Sequence, residues 1–135
     1  MSIQNKKVGD VMLGVGSFPV VTENTILIEA LEKMDDFRLG IACIKGQNNQ
    51  LSGIITDGDI RRKILSVQKP LAAFFIDDVI NQSIKSPITA SSDTSLIDAV
   101  NLMENKQVWD LPVIDDSKLV GLLHLHSVIK VLLAE

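Results

Sequence analysis

The sequence predicts an α/β (α+β) fold in which one βαββα unit is built twice, and three observations carry that prediction. The stretch Leu51-Ser52-Gly53-Ile54-Ile55-Thr56-Asp57-Gly58-Asp59-Ile60-Arg61-Arg62 recurs in degraded form as Leu119-Val120-Gly121-Leu122-Leu123-His124-Leu125-His126-Ser127-Val128. The offset of 68 between Gly53 and Gly121 (121 − 53) also pairs Asp10-Val11 with Asp78-Val79 and Pro19 with Pro87. Short apolar runs and helical periodicities follow one another in the same order in both halves. Ala30 pairs with Ala99 and Met34 with Met103 at an offset of 69 (99 − 30), so one residue is gained before the second helix and lost after it. Slips of that size belong in loops.

In the first copy, Pro19-Val20-Val21 reads as a strand. Leu27, Ile28, Leu31 and Met34 recur at helical spacing behind a cap at Asn24 or Thr25, which predicts a helix from about Ile26 to Phe37. Ile41 to Ile44 and Leu51 to Ile55 flank the turn-rich Gly46-Gln47-Asn48-Asn49-Gln50 and predict a hairpin. A helix from Asp57 to Leu65 closes the copy. The second copy predicts a strand near Pro87-Ile88-Thr89 and a helix near Leu96 to Asn105, where Ser95 and Asp98 have the spacing of a capping box. A hairpin from Leu111 to Leu123 then turns at Asp115-Asp116-Ser117, and a helix runs from Leu125 to Leu133. The domain boundaries expected from this pattern are 1–68, a linker at 69–75, and 76–135. The linker Lys69-Pro70-Leu71-Ala72-Ala73-Phe74-Phe75 is apolar enough to pack down.

Two small sheets, each covered by helices on one side, would expose apolar surface if separate. They are expected to pair face to face with pseudo-two-fold symmetry, the two polar corners sharing a cleft. In the last helix Leu125, Val128, Ile129, Val131, Leu132 and Leu133 wrap more than one face, which fits either a subunit interface or a fully buried core helix.

The 135 residues are 46% hydrophobic and 22% charged with a formal net charge of −4, a globular composition. No Lys/Arg block offers the counterion release that general nucleic-acid binding needs, and no apolar run has the length of a membrane span. The start Met1-Ser2-Ile3-Gln4-Asn5-Lys6-Lys7 lacks a secretory core, and a single Cys43 forms no internal disulfide, so a cytoplasmic location is expected. Cys43, inside Ile41-Ala42-Cys43-Ile44, reads as a buried thiol in preference to a nucleophile.

This pattern resembles a tandem pair of cystathionine β-synthase (CBS) domains, the regulatory Bateman module. The resemblance rests on Val8-Gly9-Asp10-Val11-Met12, on Ile28-Glu29-Ala30-Leu31 with Met34, and on Leu51 to Ile60. Leu111-Pro112-Val113-Ile114-Asp115 and Leu119-Val120-Gly121 carry it in copy two. Thr56-Asp57-Gly58-Asp59-Ile60-Arg61-Arg62 with His124-Leu125-His126 further resembles the C-terminal CBS pair of bacterial arabinose 5-phosphate isomerases, on the route to the sugar acid Kdo. There an N-terminal sugar isomerase (SIS) domain carries the chemistry, and nothing in these residues corresponds to it. The Thr-Asp-Gly-Asp-Ile-Arg-Arg run also occurs in CBS pairs attached to sugar-phosphate nucleotidyltransferases. The resemblance implies an adenine nucleotide (ATP, ADP or AMP) or CMP-Kdo as ligand, no required cofactor and a homodimer.

The candidate ligand-binding residues are Thr56, Asp59, Arg61, Arg62, His124 and Ser127. Thr56 and Asp59 stand three apart where a strand ends and a helix begins, a placement that suits hydrogen bonds to a vicinal diol. The resemblance places ribose contacts at these two positions. A purely structural reading has Thr56 and Asp57 capping the helix while Asp59 adds charge to its first turn. Arg61 and Arg62 offer bidentate donors for phosphate but diverge by about 100° on a helix, so one of them, unspecified by the sequence, reaches a ligand. In copy two His124 replaces Thr56 and Ser127 replaces Asp59, which removes the diol-binding carboxylate and leaves a histidine suited to a phosphate or carboxylate. His124 and His126 lack a third ligand, so no metal is expected. Trp109 and Asp110 either border the second corner or pack at an edge. No spacing suggests a catalytic triad or a phosphate loop, and catalysis is not expected of this chain. Two functions follow as expectations, a ligand-sensing pair or a structural dimerisation module with a vestigial cleft.

Overall fold

The computed structural model describes residues 3–66 and 70–134. In chain order the elements are α1 (Val8–Val11), β1 (Leu13–Gly14), β2 (Val20–Thr22), α2 (Leu27–Phe37), β3 (Ile41–Lys45), β4 (Leu51–Thr56), α3 (Asp57–Ser66), α4 (Leu71–Phe75), α5 (Leu96–Lys106), β5 (Asp110–Asp115), β6 (Lys118–His124) and α6 (Leu125–Leu133). Short 3₁₀ turns precede α1, join β3 to β4, and span Val79–Gln82. The mixed helix and strand content is that of an α+β fold, with two three-stranded sheets ordered β2-β3-β4 and β1-β6-β5.

The chain forms two compact units, Gly16–Pro87 and Met1–Val15 with Ile88–Glu135. Each unit thus combines the body of one copy with the short lead-in of the other. In the first, a parallel β2–β3 pair and an antiparallel β3–β4 hairpin lie under a core of Leu27, Ala30 and Met34 from α2, Ala42, Ile44 and Ile55 from the sheet, and Ile60 from α3. Phe74 of the expected linker and Val79 of the second lead-in complete this core. Lys69 of that linker, and with it the 68/69 boundary, lies outside the described residues.

In the second unit the equivalents recur as Leu96, Ala99, Met103, Leu111, Val113, Leu123 and Val128, with Val8 of the first lead-in in the place of Val79. Val8 and Val79 are 71 apart (79 − 8), and the residues before them, Lys7 and Asp78, are the N-caps of equivalent turns. Lys7 bridges Ser95 as Asp78 bridges Ile26. The pairing of Asp10-Val11 with Asp78-Val79 is therefore corrected. The register follows the fully buried valine, and copy one takes up its extra residues in the turn at Gly16, whose φ is 101°.

Two further corrections follow from where single backbone hydrogen bonds go. The strand expected at Pro87-Ile88-Thr89 is reduced to a parallel bridge between Ala90 and Val113. Cys43, opposite Ile54, donates its N–H to the Pro19 carbonyl at 3.0 Å. Its counterpart opposite Leu122 is Pro112, which has no N–H to give. Helix α2 starts at Leu27 behind Ile26 as an N-cap without a side-chain bond, because the Thr25 hydroxyl instead accepts the Thr22 N–H at 3.2 Å. Helix α5 does carry the anticipated Ser95 cap, accepting from the Asp98 N–H at 3.1 Å. Helix α6 buries Val128 while Ile129, Leu132 and Leu133 remain exposed, so it is not a fully buried core helix. Among the described residues no helix is long and apolar enough to cross a membrane.

Candidate functional site

The corner between β4 and α3 is built by reciprocal hydrogen bonds. The Asp59 N–H donates to Thr56 Oγ1 at 3.2 Å, while Asp59 Oδ2 accepts from the Thr56 N–H at 3.2 Å and from the Thr56 hydroxyl at 2.8 Å. This is a capping box, with Thr56 at the cap and Asp59 three residues on. Thr56-x-x-Asp59 carries that signature in the sequence; Thr56 caps the helix as the structural reading has it, with Asp59 and not Asp57 completing the cap. Two acidic residues in the first turn of α3 also complement the positive end of the helix.

Arg62 joins the same cluster, its Nη2 donating to Asp59 Oδ1 at 2.9 Å. Arg61 is exposed and forms no ion pair with a described residue. The structure thereby separates the two arginines that the sequence left equivalent. Asp57 points elsewhere: a Cβ at Gly40 would lie 2.7 Å from its Oδ2, and it lines an open depression of about 320 Å³ with Asp35, Arg38 and Gly40. That depression has no counterpart in the sequence reading.

In the second unit His124 ends β6 and occupies the position of Thr56, but α6 begins on it without a side-chain cap bond. Its Nδ1 lies 2.6 Å from Asp110 Oδ1, across the β5–β6 pair where the two residues stand directly opposite. Asp110 is largely buried, and desolvation pushes its carboxyl above the usual range, while His124 partly opposes that shift by charge and hydrogen bonding. A count back from the turn at Asp116-Ser117 sets Asp110 opposite Leu123, and the register shift between Val113 and Ile114 is what brings it opposite His124. His126 is exposed, its ring 6.4 Å from that of His124. Ser127 is half-buried and brings no carboxylate to the corner. Trp109 is 69% exposed, so it does not pack at an edge, and its carbonyl accepts the Leu125 N–H at 2.9 Å. No group of three metal-ligating side chains lies together among the described residues.

Comparison with known proteins gives this arrangement its context. The model of the CBS domain matches residues 8–66 and 76–134. An uncharacterised protein of Rickettsia prowazekii is 30% identical over 123 residues, spanning 91% of this chain and 37% of that protein. The arabinose 5-phosphate isomerase KdsD of Yersinia pestis is 29% identical over 124 residues, spanning 92% of this chain and 37% of the enzyme. The chain therefore covers just over a third of these curated relatives. Among solved structures, CBSX2 in complex with AMP superimposes with a TM-score of 0.84 at 27% identity, covering 96% of this chain and 98% of that one. CBSX2 from Arabidopsis thaliana also superimposes, with a TM-score of 0.82 at 26% identity, covering 96% and 95%. With both copies matched by one family model across nearly their whole length, the chain belongs to the CBS-domain family as a tandem pair.

Proposed function

We propose that the chain is a regulatory, ligand-sensing module that binds an adenine nucleotide (ATP, ADP or AMP) or the nucleotide-sugar CMP-Kdo at the Thr56/Asp59 corner and performs no catalysis itself. Its output is a bias on a sugar-phosphate enzyme such as arabinose 5-phosphate isomerase, in the cytoplasm and without a required cofactor. The SIS domain of the isomerases is the proposed linked partner, with the sugar-phosphate nucleotidyltransferases as the alternative setting. A ligand acts in this way only through different affinities for two arrangements of the protein.

The observation that carries this reading is the Thr56/Asp59 cluster itself. A hydroxyl and a carboxylate are fixed on one another at a strand-to-helix corner, the chemistry a ribose diol asks for. The likeness to CBSX2, whose structure is a complex with AMP, supports adenine nucleotides first. The likeness to KdsD supports the isomerase setting, and CMP-Kdo is proposed as the feedback ligand of that setting.

Thermal unfolding with each of the four ligands tests the proposal. A ligand at about a hundred times its dissociation constant adds roughly 2.7 kcal/mol to the native state, and Asp59→Ala abolishes that gain. If no ligand moves the wild-type transition, the sensing reading fails and the chain is a dimerisation module.

A homodimer through the helices is proposed on a separate observation. Ile28 and Ile64 in one unit, and Ile97 and Leu132 in the other, are exposed at equivalent positions of α2, α3, α5 and α6. Leu65 and Leu133 extend the same pattern at 80% and 81% exposure. Unpaired apolar surface repeated in this way suits a self-complementary interface. Sedimentation equilibrium is expected to give twice the chain mass, with Leu132→Glu weakening association at least about tenfold, or roughly 1.4 kcal/mol. A monomer at all concentrations would reject the dimer.

A further inference from the structure

We infer that Arg62 is a latch on Asp59 that makes a phosphate group the condition for ligand entry, so that the corner accepts nucleotides and discriminates against nucleosides. The inference rests on the nucleotide-sensing reading above and assigns its selectivity to one residue.

Both carboxylate oxygens of Asp59 are occupied. Oδ2 is held from inside by the Thr56 N–H and hydroxyl, and Oδ1 by the Arg62 guanidinium at 2.9 Å. The Asp59 side chain is only 11% exposed whereas that of Arg62 is 62% exposed, so Arg62 is the outer, displaceable partner. Gly58 shows how the latch is seated. Its backbone is not in the left-handed region, so no turn demands a glycine there, yet a Cβ would stand 3.1 and 3.2 Å from the two terminal guanidinium nitrogens. Glycine within a helix costs stability relative to alanine. Its use here leaves room for the arginine to fold back over the first turn.

A diol that reaches Asp59 has to take Oδ1 from Arg62. A nucleoside does so without returning anything to the guanidinium. A nucleotide offers its phosphate, which accepts the freed planar donors in a bidentate, charge-assisted pair. The exchange moves one arginine from a carboxylate to a phosphate, and the diol hydroxyls take its place as donors to Asp59 Oδ1.

Calorimetric titration of the wild-type protein with AMP and with adenosine, probes that differ only in the phosphate, reads the latch directly. The wild type is expected to prefer AMP by about tenfold or more, the scale of a charge-assisted hydrogen bond. Arg62→Ala brings the two ligands within about twofold, with AMP weakened and adenosine slightly tightened. Gly58→Ala keeps the charge but crowds the folded-back guanidinium, so adenosine tightens while AMP is retained. Thermal unfolding of each variant confirms a folded protein. An AMP preference unchanged in Arg62→Ala, or one that collapses in Arg61→Ala instead, overturns the latch while the nucleotide reading stands. Failure of the wild type to bind either probe overturns the latch, and silence from ATP, ADP and CMP-Kdo as well overturns the nucleotide reading with it.

Discussion

Truncating Phe74 to alanine is expected to remove about 3–5 kcal/mol of unfolding free energy, the range for deleting a large buried aromatic ring. Phe74 belongs to the stretch joining the two copies and would cost little if that stretch were a tether. It is instead 1% exposed, sits in the core with Val21, Leu27 and Ile55, and meets Phe75 edge-on at 5.2 Å. The cavity would be walled by β-branched and leucine side chains held on a sheet and a helix, which relax only partly around a void. Urea unfolding measures the effect. A loss below about 1 kcal/mol would show that the joining segment does not belong to the core.

Replacing Gly53 by alanine is expected to cost about 1–3 kcal/mol, as overpacking does. Ile84 of the second lead-in exchanges both backbone hydrogen bonds with Ile54 at 2.9 Å, so its carbonyl passes close over β4. A Cβ at Gly53 would stand 2.7 Å from that Ile84 oxygen and 2.8 Å from Ser83 Oγ. Backbone has to move, and it cannot do so without stretching the two bonds. At the equivalent Gly121 of the other unit, a Cβ would stand 2.8 Å from the Leu13 carbonyl oxygen. Gly53→Ala should therefore expose the amides of Ile54 and Ile84 to hydrogen exchange. Unchanged protection and stability would refute the close crossing.

These glycines also show what was legible in the sequence and what was not. Helices α2, α3, α5 and α6 and both hairpins were readable because their signals are local: apolar residues at helical spacing, a Ser95/Asp98 box, turn residues between β-branched runs. The duplicated glycine was visible too, but its reason was not, since the backbone crossing it comes from the lead-in of the other copy. Pairing of Leu13 and Gly14 with β6 has no local signal at all. The missing strand at Pro87-Ile88-Thr89 was foreseeable only from Pro112, which sits 25 residues on (112 − 87) and in a different element.

The site divides in the same way. The Thr56–Asp59 cluster was readable because both the chemistry and the spacing lie within four residues. Arg62 was separated from Arg61 only by seeing which guanidinium folds back over Gly58. The His124–Asp110 pair depends on strand register, and residue type alone did not reveal it.

Amide chemical-shift mapping of the ¹⁵N-labelled chain during AMP addition decides whether the Thr56/Asp59 elbow receives a nucleotide. The predicted outcome is a saturable set of shifts led by Thr56, Gly58, Asp59 and Arg62, absent in Asp59→Ala. Shifts confined to other segments, or none at saturating ATP, ADP, AMP and CMP-Kdo, would contradict it.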